Sequence, residues 1–336
     1  MTPKTKYSFL LLAIILVICF AVNISMGSVS IKFLEVVSSI FGFTENYIIQ
    51  NYRLPKAITA ILVGSGLGIS GLLMQTLFRN PLAGPFVLGI SSGASLGVAL
   101  IILGSGLFGG VLATALISKW SIVIAASLGS FLVLLAVLAV SYKVKDTMAI
   151  LIIGLMFGSI TAAVVSVLSY FSSAEQLQQY IFWGFGSLGN LTWSELLIFF
   201  GIYLIGLLLT VRSLKALNSF LLGENYAKSM GLNIKQSRLT IIIATSLLAG
   251  TITAFAGPIA FIGLAIPHLT RQIFDTSDHK ILIPAVFLFG AIVMLICDTI
   301  AQLPASDYTL PINAITSLVG APIVVWLLVR QKKMVF

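Results

Sequence analysis

Long apolar runs, each close to the length of a bilayer-crossing helix, restrict this chain more sharply than anything else in it. Residues 8–26, 57–78, 121–141, 148–170, 196–211, 281–302 and 311–329 carry almost no charge, and about 20 such residues in a helix cross a hydrocarbon core of roughly 30 Å. Lipid offers the backbone no hydrogen bonds, so only helices and closed barrels can lie there. Barrel strands alternate apolar with polar residues, whereas these runs are unbroken. The chain reads as an all-α polytopic membrane protein, a single transmembrane domain over residues 1–336. Only 9% of its residues are charged and 59% are hydrophobic. A soluble domain carries about 25% charged residues, so a soluble enzyme and a disordered chain are both excluded.

Two further stretches need interpretation. Residues 86–117 are apolar and uncharged and are taken as one crossing. Residues 239–267 are long for one span and short for two, with Gly250, Gly257, Pro258, Gly263 and Pro267 in the second part. They read as a helix beginning a few residues earlier, followed by a short broken helix. Irregular backbone at membrane depth survives only where protein or a water-filled cavity covers it. Ten crossings result, with both termini on the cytoplasmic side. That side then holds Lys4, Lys6, Arg79, Lys143, Lys145, Arg212, Lys215, Lys228, Lys235, Arg238, Arg271, Lys280, Arg330, Lys332 and Lys333, 15 of the 19 basic residues, and leaves Lys32, Arg53, Lys56 and Lys119 outside. A second crossing in 86–117 would put Lys143 and Lys145 on the wrong side. The net charge of +9 is thus a topology signal and makes no case for nucleic acid.

Cys19 and Cys297 lie inside apolar runs and read as buried small hydrophobes rather than a disulfide or metal pair. Lys4 and Lys6 before an apolar stretch resemble a signal peptide. With many spans downstream and Val17 and Ile18 before Cys19, the segment reads as a retained first helix. Gly66-x-Gly68-x-x-Gly71 imitates a dinucleotide fingerprint, but it sits mid-span with no preceding strand. Gly64 and Gly68, and Gly89, Gly93 and Gly97, read instead as small residues that let helices approach closely. No Gly-Lys pair occurs anywhere, so the chain has no phosphate-binding P-loop and any ATP must be bound by another subunit.

Four segments do something other than span: Arg53-Leu54-Pro55-Lys56; Gln75-Thr76-Leu77-Phe78-Arg79-Asn80-Pro81-Leu82-Ala83-Gly84-Pro85 with Leu88-Gly89-Ile90-Ser91-Ser92-Gly93-Ala94; Leu222-Gly223-Glu224-Asn225-Tyr226-Ala227-Lys228-Ser229-Met230-Gly231-Leu232; and the run from Gly257 to His268 with Arg271, Asp278-His279-Lys280, Pro284, Gly290-Ala291, Asp298 and Gly320-Ala321-Pro322 beyond it. As an ordered set, over roughly residues 8–333, they resemble the permease family of binding-protein-dependent ABC importers for iron-siderophores, haem and vitamin B12. The resemblance implies the type II ABC importer permease architecture in the cytoplasmic (inner) membrane. It also implies a second permease subunit (the same chain or a paralogue), two cytoplasmic ATP-binding subunits and an extracytoplasmic substrate-binding protein. The chain itself would be a transport subunit and not an enzyme, with no cofactor and no metal site of its own.

The same resemblance distributes roles. The inner loop at about 212–238 becomes the segment that couples to the ATPase, through Leu222, Gly223, Glu224, Ala227 and Gly231. Ala227 and Gly231 are four apart, on one face of a helix over 222–232. Glu224 and Lys228 have the spacing of an exposed ion pair. Arg53 and Lys56 stand at the outer mouth, where the family meets acidic residues of the binding protein; interfacial snorkelling is the plainer reading of them. Gln302 replaces the arginine that usually follows Asp-Thr-Ile-Ala, so one docking cation is missing. The fifth helix implies the pathway, with Thr147 and Met148 at its gate and Gly154, Gly158 and Ser159 along it. Glu175 to Tyr180 and Trp183 to Leu188 would add to the docking surface.

Asn80, Pro81, Pro267 and His268 mark the structural motif, together with Asp298, the one acid embedded in an apolar run. Asp298 either bonds a neighbouring helix or relays protons. The second role would define a different class of protein, an ion-coupled secondary transporter. The cargo is expected to be an iron chelate, with vitamin B12 as the alternative.

Overall fold

The computed structural model describes residues 3–27, 31–40, 43, 45–107, 118–141, 147–303 and 308–329. Among them every regular element is helical: α1 (Pro3–Ser25), α2 (Phe33–Ile40), α3 (Leu54–Phe78, entered through a π-helical turn), α4 (Ile90–Ile102), α5 (Lys119–Ser141), α6 (Thr147–Tyr170), α7 (Ala174–Gly184), α8 (Trp193–Arg212), α9 (Leu214–Leu221), α10 (Glu224–Ser229), α11 (Ile234–Ala256), α12 (Ile262–Phe274), α13 (His279–Ala301) and α14 (Ile312–Val329). Among the described residues seven helices are long and apolar enough to cross a membrane. The shorter apolar α4 and α14 and the half-length α12 bring the crossings to ten, as the sequence implies. The basic stretches around Lys143 and Lys145 and around Arg330, Lys332 and Lys333 lie outside the described residues.

α3 is the axis of the bundle and the most deeply buried of the long spans. It packs on α13, α11, α12 and α8, while α4, α5 and α6 form a second group joined to it through α11. Small residues make this possible. A β-carbon on Gly64 would collide with the Gly290 carbonyl of α13, and one on Gly71 with the Gly263 carbonyl of α12. Gly93 and Gly97 on α4 stand equally close to the backbone of α5 at Gly129 and Ala125. Gly89 differs from expectation: with φ 74° it is the left-handed residue that starts α4, not part of a helix face.

The two ambiguous stretches resolve differently. Among the described residues of 86–107 there is one 13-residue helix, α4, flanked by 3-10 turns, and 108–117 lies outside the described residues. In 239–267 the chain leaves α11 at Gly257 (φ 78°), passes Phe261 (φ 65°) and re-enters helix as α12. α12 continues through Pro267 instead of ending there. Protein covers the break. Ser187 N–H donates to Ala256 O at 2.8 Å, and Asn313 Oδ1, at the start of α14, accepts from Ala260 N–H at 3.1 Å.

Candidate functional site

At one end of the bundle the chain turns sharply at Gly223 (φ 107°), forms α10, and is released at Gly231 (φ 79°) before Asn233 caps α11. The expectation of Ala227 and Gly231 side by side is corrected here. Ala227 is fully buried in a segment packed on α9 and α11. Gly231 lies beyond the helix end, where a β-carbon would meet open space. The apolar part of the segment's surface is made by Leu222, Tyr226 and Met230, four apart and 64%, 51% and 60% exposed. Glu224 pairs with Arg238 Nη2 at 2.5 Å, taking the place expected for Lys228.

This end is tied together by the polar residues of the second and fourth motifs. Arg79 ends α3 in the left-handed region and donates to Leu221 O at 3.4 Å. Asn80 Oδ1 accepts the Leu82 N–H at 2.9 Å, which shapes the turn into Pro81. Pro81 O lies 2.8 Å from His268 Nε2; a carbonyl only accepts, so Nε2 carries the proton. Pro267 is buried beside it. Arg271 donates to Gln75 Oε1 at 3.3 Å, and Gln75 donates onward to Leu264 O at 3.2 Å. Asn80, Pro81, Pro267 and His268 thus form one joint between α3 and α12. Among the described residues no three His, Cys, Asp or Glu side chains gather as metal ligands.

At the opposite end Asp298 is 2% exposed and fully engaged. Lys56 Nζ lies 3.1 Å from Oδ1, while Asn23 and Gln302 donate to Oδ2 at 2.9 and 2.8 Å. Gln302 therefore turns inward, toward the acid four residues before it. Arg53 donates from Nη1 to the carbonyls of Ile24 and Ser25 at 2.6 and 3.0 Å, closing the end of α1. Nearby, Lys119 pairs with Glu195 at 2.6 Å. A cavity of about 530 Å³ opens beside it, lined by Phe182, Trp183, Asn190 and Phe255 among others.

Of the residues expected along α6, Gly154 is filled by the Val87 carbonyl and Gly158 rests against the Ser92 hydroxyl. Ser159 is exposed. It continues into Ala162, Ala163 and Ser166, also exposed, the four spaced to share one helix face. The backbones of Thr147 and Met148 begin α6, and their side chains lie outside what is described.

Sequence reasoning missed the amides. Asn23, Asn218 and Asn313 each close a contact between distant helices. Their signal was simply that an amide inside or at the edge of an apolar run costs free energy unless partnered.

The chain is similar to known proteins along nearly its whole length. The hemin transport system permease protein HmuU of Yersinia pestis is 36% identical over 332 residues, 98% of this chain and 97% of that protein. The vitamin B12 import system permease protein BtuC of Klebsiella pneumoniae is 36% identical over 285 residues, 84% of this chain and 83% of that one. A solved metal-chelate type ABC transporter in an inward-facing conformation superposes with a TM-score of 0.83 at 30% identity, covering 97% of this chain and all of that one. The FecCD transport family model matches residues 15–330. With its split α11–α12 unit, its α3–α12 joint and its exposed α10 segment all inside that match, the chain belongs to the FecCD transport family.

Proposed function

We propose that this permease carries an iron chelate, a siderophore complex or haem, across the cytoplasmic membrane of the cell, driven by ATP hydrolysed in a separate subunit. The observation that carries the cargo class is the end-to-end likeness to a hemin permease. The likeness to vitamin B12 permeases supports a corrinoid as the second reading. Two cytoplasmic ATP-binding subunits dock on the segments around α10. The exposed Leu222, Tyr226 and Met230 supply the apolar contact, while Gly223, Glu224, Ala227 and Gly231 give the segment its shape. A second permease subunit, a copy of this chain or a paralogue, faces α6. The cargo passes along Ser159 and the small residues above it, with Gly154 and Gly158 bringing α6 close to α4 and Thr147 and Met148 at the inner gate. An extracytoplasmic binding protein sits over the end that holds Arg53, Lys56 and Gln302.

Uptake of labelled ferric siderophores, haem and cobalamin, in cells with and without this gene, tests the reading. The expected result is loss of one cargo, with uptake abolished by ATP depletion and indifferent to ionophores. Uptake that follows the proton gradient and ignores ATP would overturn it. Asp298 gives little support to gradient coupling, since a lysine and two amides already occupy its carboxylate.

A further inference from the structure

One partly buried chain of polar contacts, centred on the buried His279, joins the helix before α10 to α3 and α13. Asn218 lies on α9, the short helix that leads into α10. Its Oδ1 accepts from the His279 backbone N–H at 2.9 Å and sits 2.7 Å from His279 Nδ1, while its Nδ2 donates to Asp278 Oδ1 at 2.7 Å. The amide can adopt only this orientation, because the reverse would set donor against donor and acceptor against acceptor. Nδ1 of His279 must then carry a proton. Nε2 lies 2.8 Å from the Thr76 hydroxyl of α3. Asp278 also caps α13 through the Lys280 N–H at 3.0 Å. Burial works to raise the Asp278 carboxyl, but the bonds from Lys280 N–H and Asn218 and the Lys280 charge outweigh it and hold it below the usual carboxylate range.

Three helices therefore meet at His279, which is fully buried. Two of them, α3 and α13, also interlock at mid-length through Gly64 and Gly290 and are joined at their far end by Lys56 and Asp298. Fastened at three heights, they form a rod that for the 23 residues of α13 is about 35 Å long. Of the other ties of this loop, Arg79 to Leu221 is long and exposed, and Glu224 with Arg238 joins α10 to α11 and not to the α3–α13 pair. Buried hydrogen bonds are stiffer and costlier to break than exposed ones.

We propose that Asn218 and His279 are positioning residues that fasten the α10 segment to the α3–α13 rod, so that displacement of α10 moves the Lys56–Asp298 end with it. The inference rests on reading α10 as the ATPase-docking segment. It assigns the transmission between the two ends to one rigid pair of helices and touches neither cargo nor nucleotide.

The test uses the complete importer, permease with its ATP-binding subunits and binding protein, in proteoliposomes. It measures cargo taken up per ATP hydrolysed, using haemin or cyanocobalamin, whichever the wild type transports. Asn218→Ala is expected to leave assembly and ATP hydrolysis within about twofold and to lower uptake per ATP by about tenfold, a coupling loss of the size of one or two buried hydrogen bonds. Thr76→Val keeps side-chain shape and removes the bond to His279, together with the hydroxyl's local contact to Leu72 O inside α3. It is expected to lower the same ratio by a smaller factor, and it carries the test if Asn218→Ala fails to assemble. An unchanged ratio, or hydrolysis and uptake falling in proportion, would overturn the proposal. Wild-type complex that hydrolyses ATP yet moves no cargo would instead overturn the importer reading beneath it.

Discussion

Asp298 is a carboxylate buried in the last turn of an apolar helix, and its tolerance is bought by Lys56 from α3, Asn23 from α1 and Gln302 at the end of its own helix. Removing one partner of a buried pair leaves the other charge uncompensated. Lys56→Met should therefore destabilise the protein by about 3 kcal/mol, the lower end for such pairs because the lysine is partly exposed, and adding Asp298→Asn should restore most of it. Thermal unfolding in detergent of the single and double variants checks this; additive losses would refute it. The same lysine stands in the proposed docking face, so charge reversal has to be read against that baseline. Arg53→Glu with Lys56→Glu should weaken binding-protein affinity beyond Lys56→Met alone, and equal affinities would remove both cations from the docking role. The sequence marks Asp298, Arg53 and Lys56 as unusual, because ionised groups in apolar surroundings need a reason. It does not reveal their partners, since Asn23 and Asp298 are 275 positions apart and nothing local encodes their meeting. Gln302 in place of arginine is visible as a departure, but its inward turn onto Asp298 is not.

Helices were legible to the extent that a local signal defines them. The apolar runs gave the long spans, and the glycine- and proline-rich stretch after residue 250 foretold the α11–α12 break. The short helices α2, α7 and α9 were not foreseen. For α7, Ser173 and Gln176 form a capping box, as Thr192 and Glu195 do for α8, a spacing that could have been read directly. α10 was located, but its faces were assigned to the wrong residues, because helical spacing was extended past the point where Gly231 ends the helix. Two glycines make this distinction testable. Gly64→Val drives a side chain into the Gly290 carbonyl of a neighbouring helix and should abolish accumulation of folded protein. Gly231→Val meets open space and bears only the cost of a left-handed β-branched residue, roughly 1–2 kcal/mol. The protein should then insert normally while uptake is lost through the partner ATPase. Normal uptake by Gly231→Val would count against the coupling role of the segment.

On the scale of the whole molecule, the apolar runs propose the crossings and the distribution of positive charge orients them, because membrane topology is a global property that leaves a mark on every loop. The mutual arrangement of the helices left no such mark; it depends on small residues meeting across the bundle, as Gly64 meets Gly290. The break between α11 and α12 illustrates the consequence of that arrangement. Its backbone is sealed by Asn313, at the start of the last described helix. A ribosome that has delivered α11 and α12 has thus made the Ala260 N–H with its closing partner still unsynthesised. Until α14 arrives, the half-built protein must shelter that segment in the insertion machinery or hold it at the lipid surface. A chain interrupted before residue 312 lacks the acceptor for the Ala260 N–H, so α14 completes the seal on a break made 53 positions earlier.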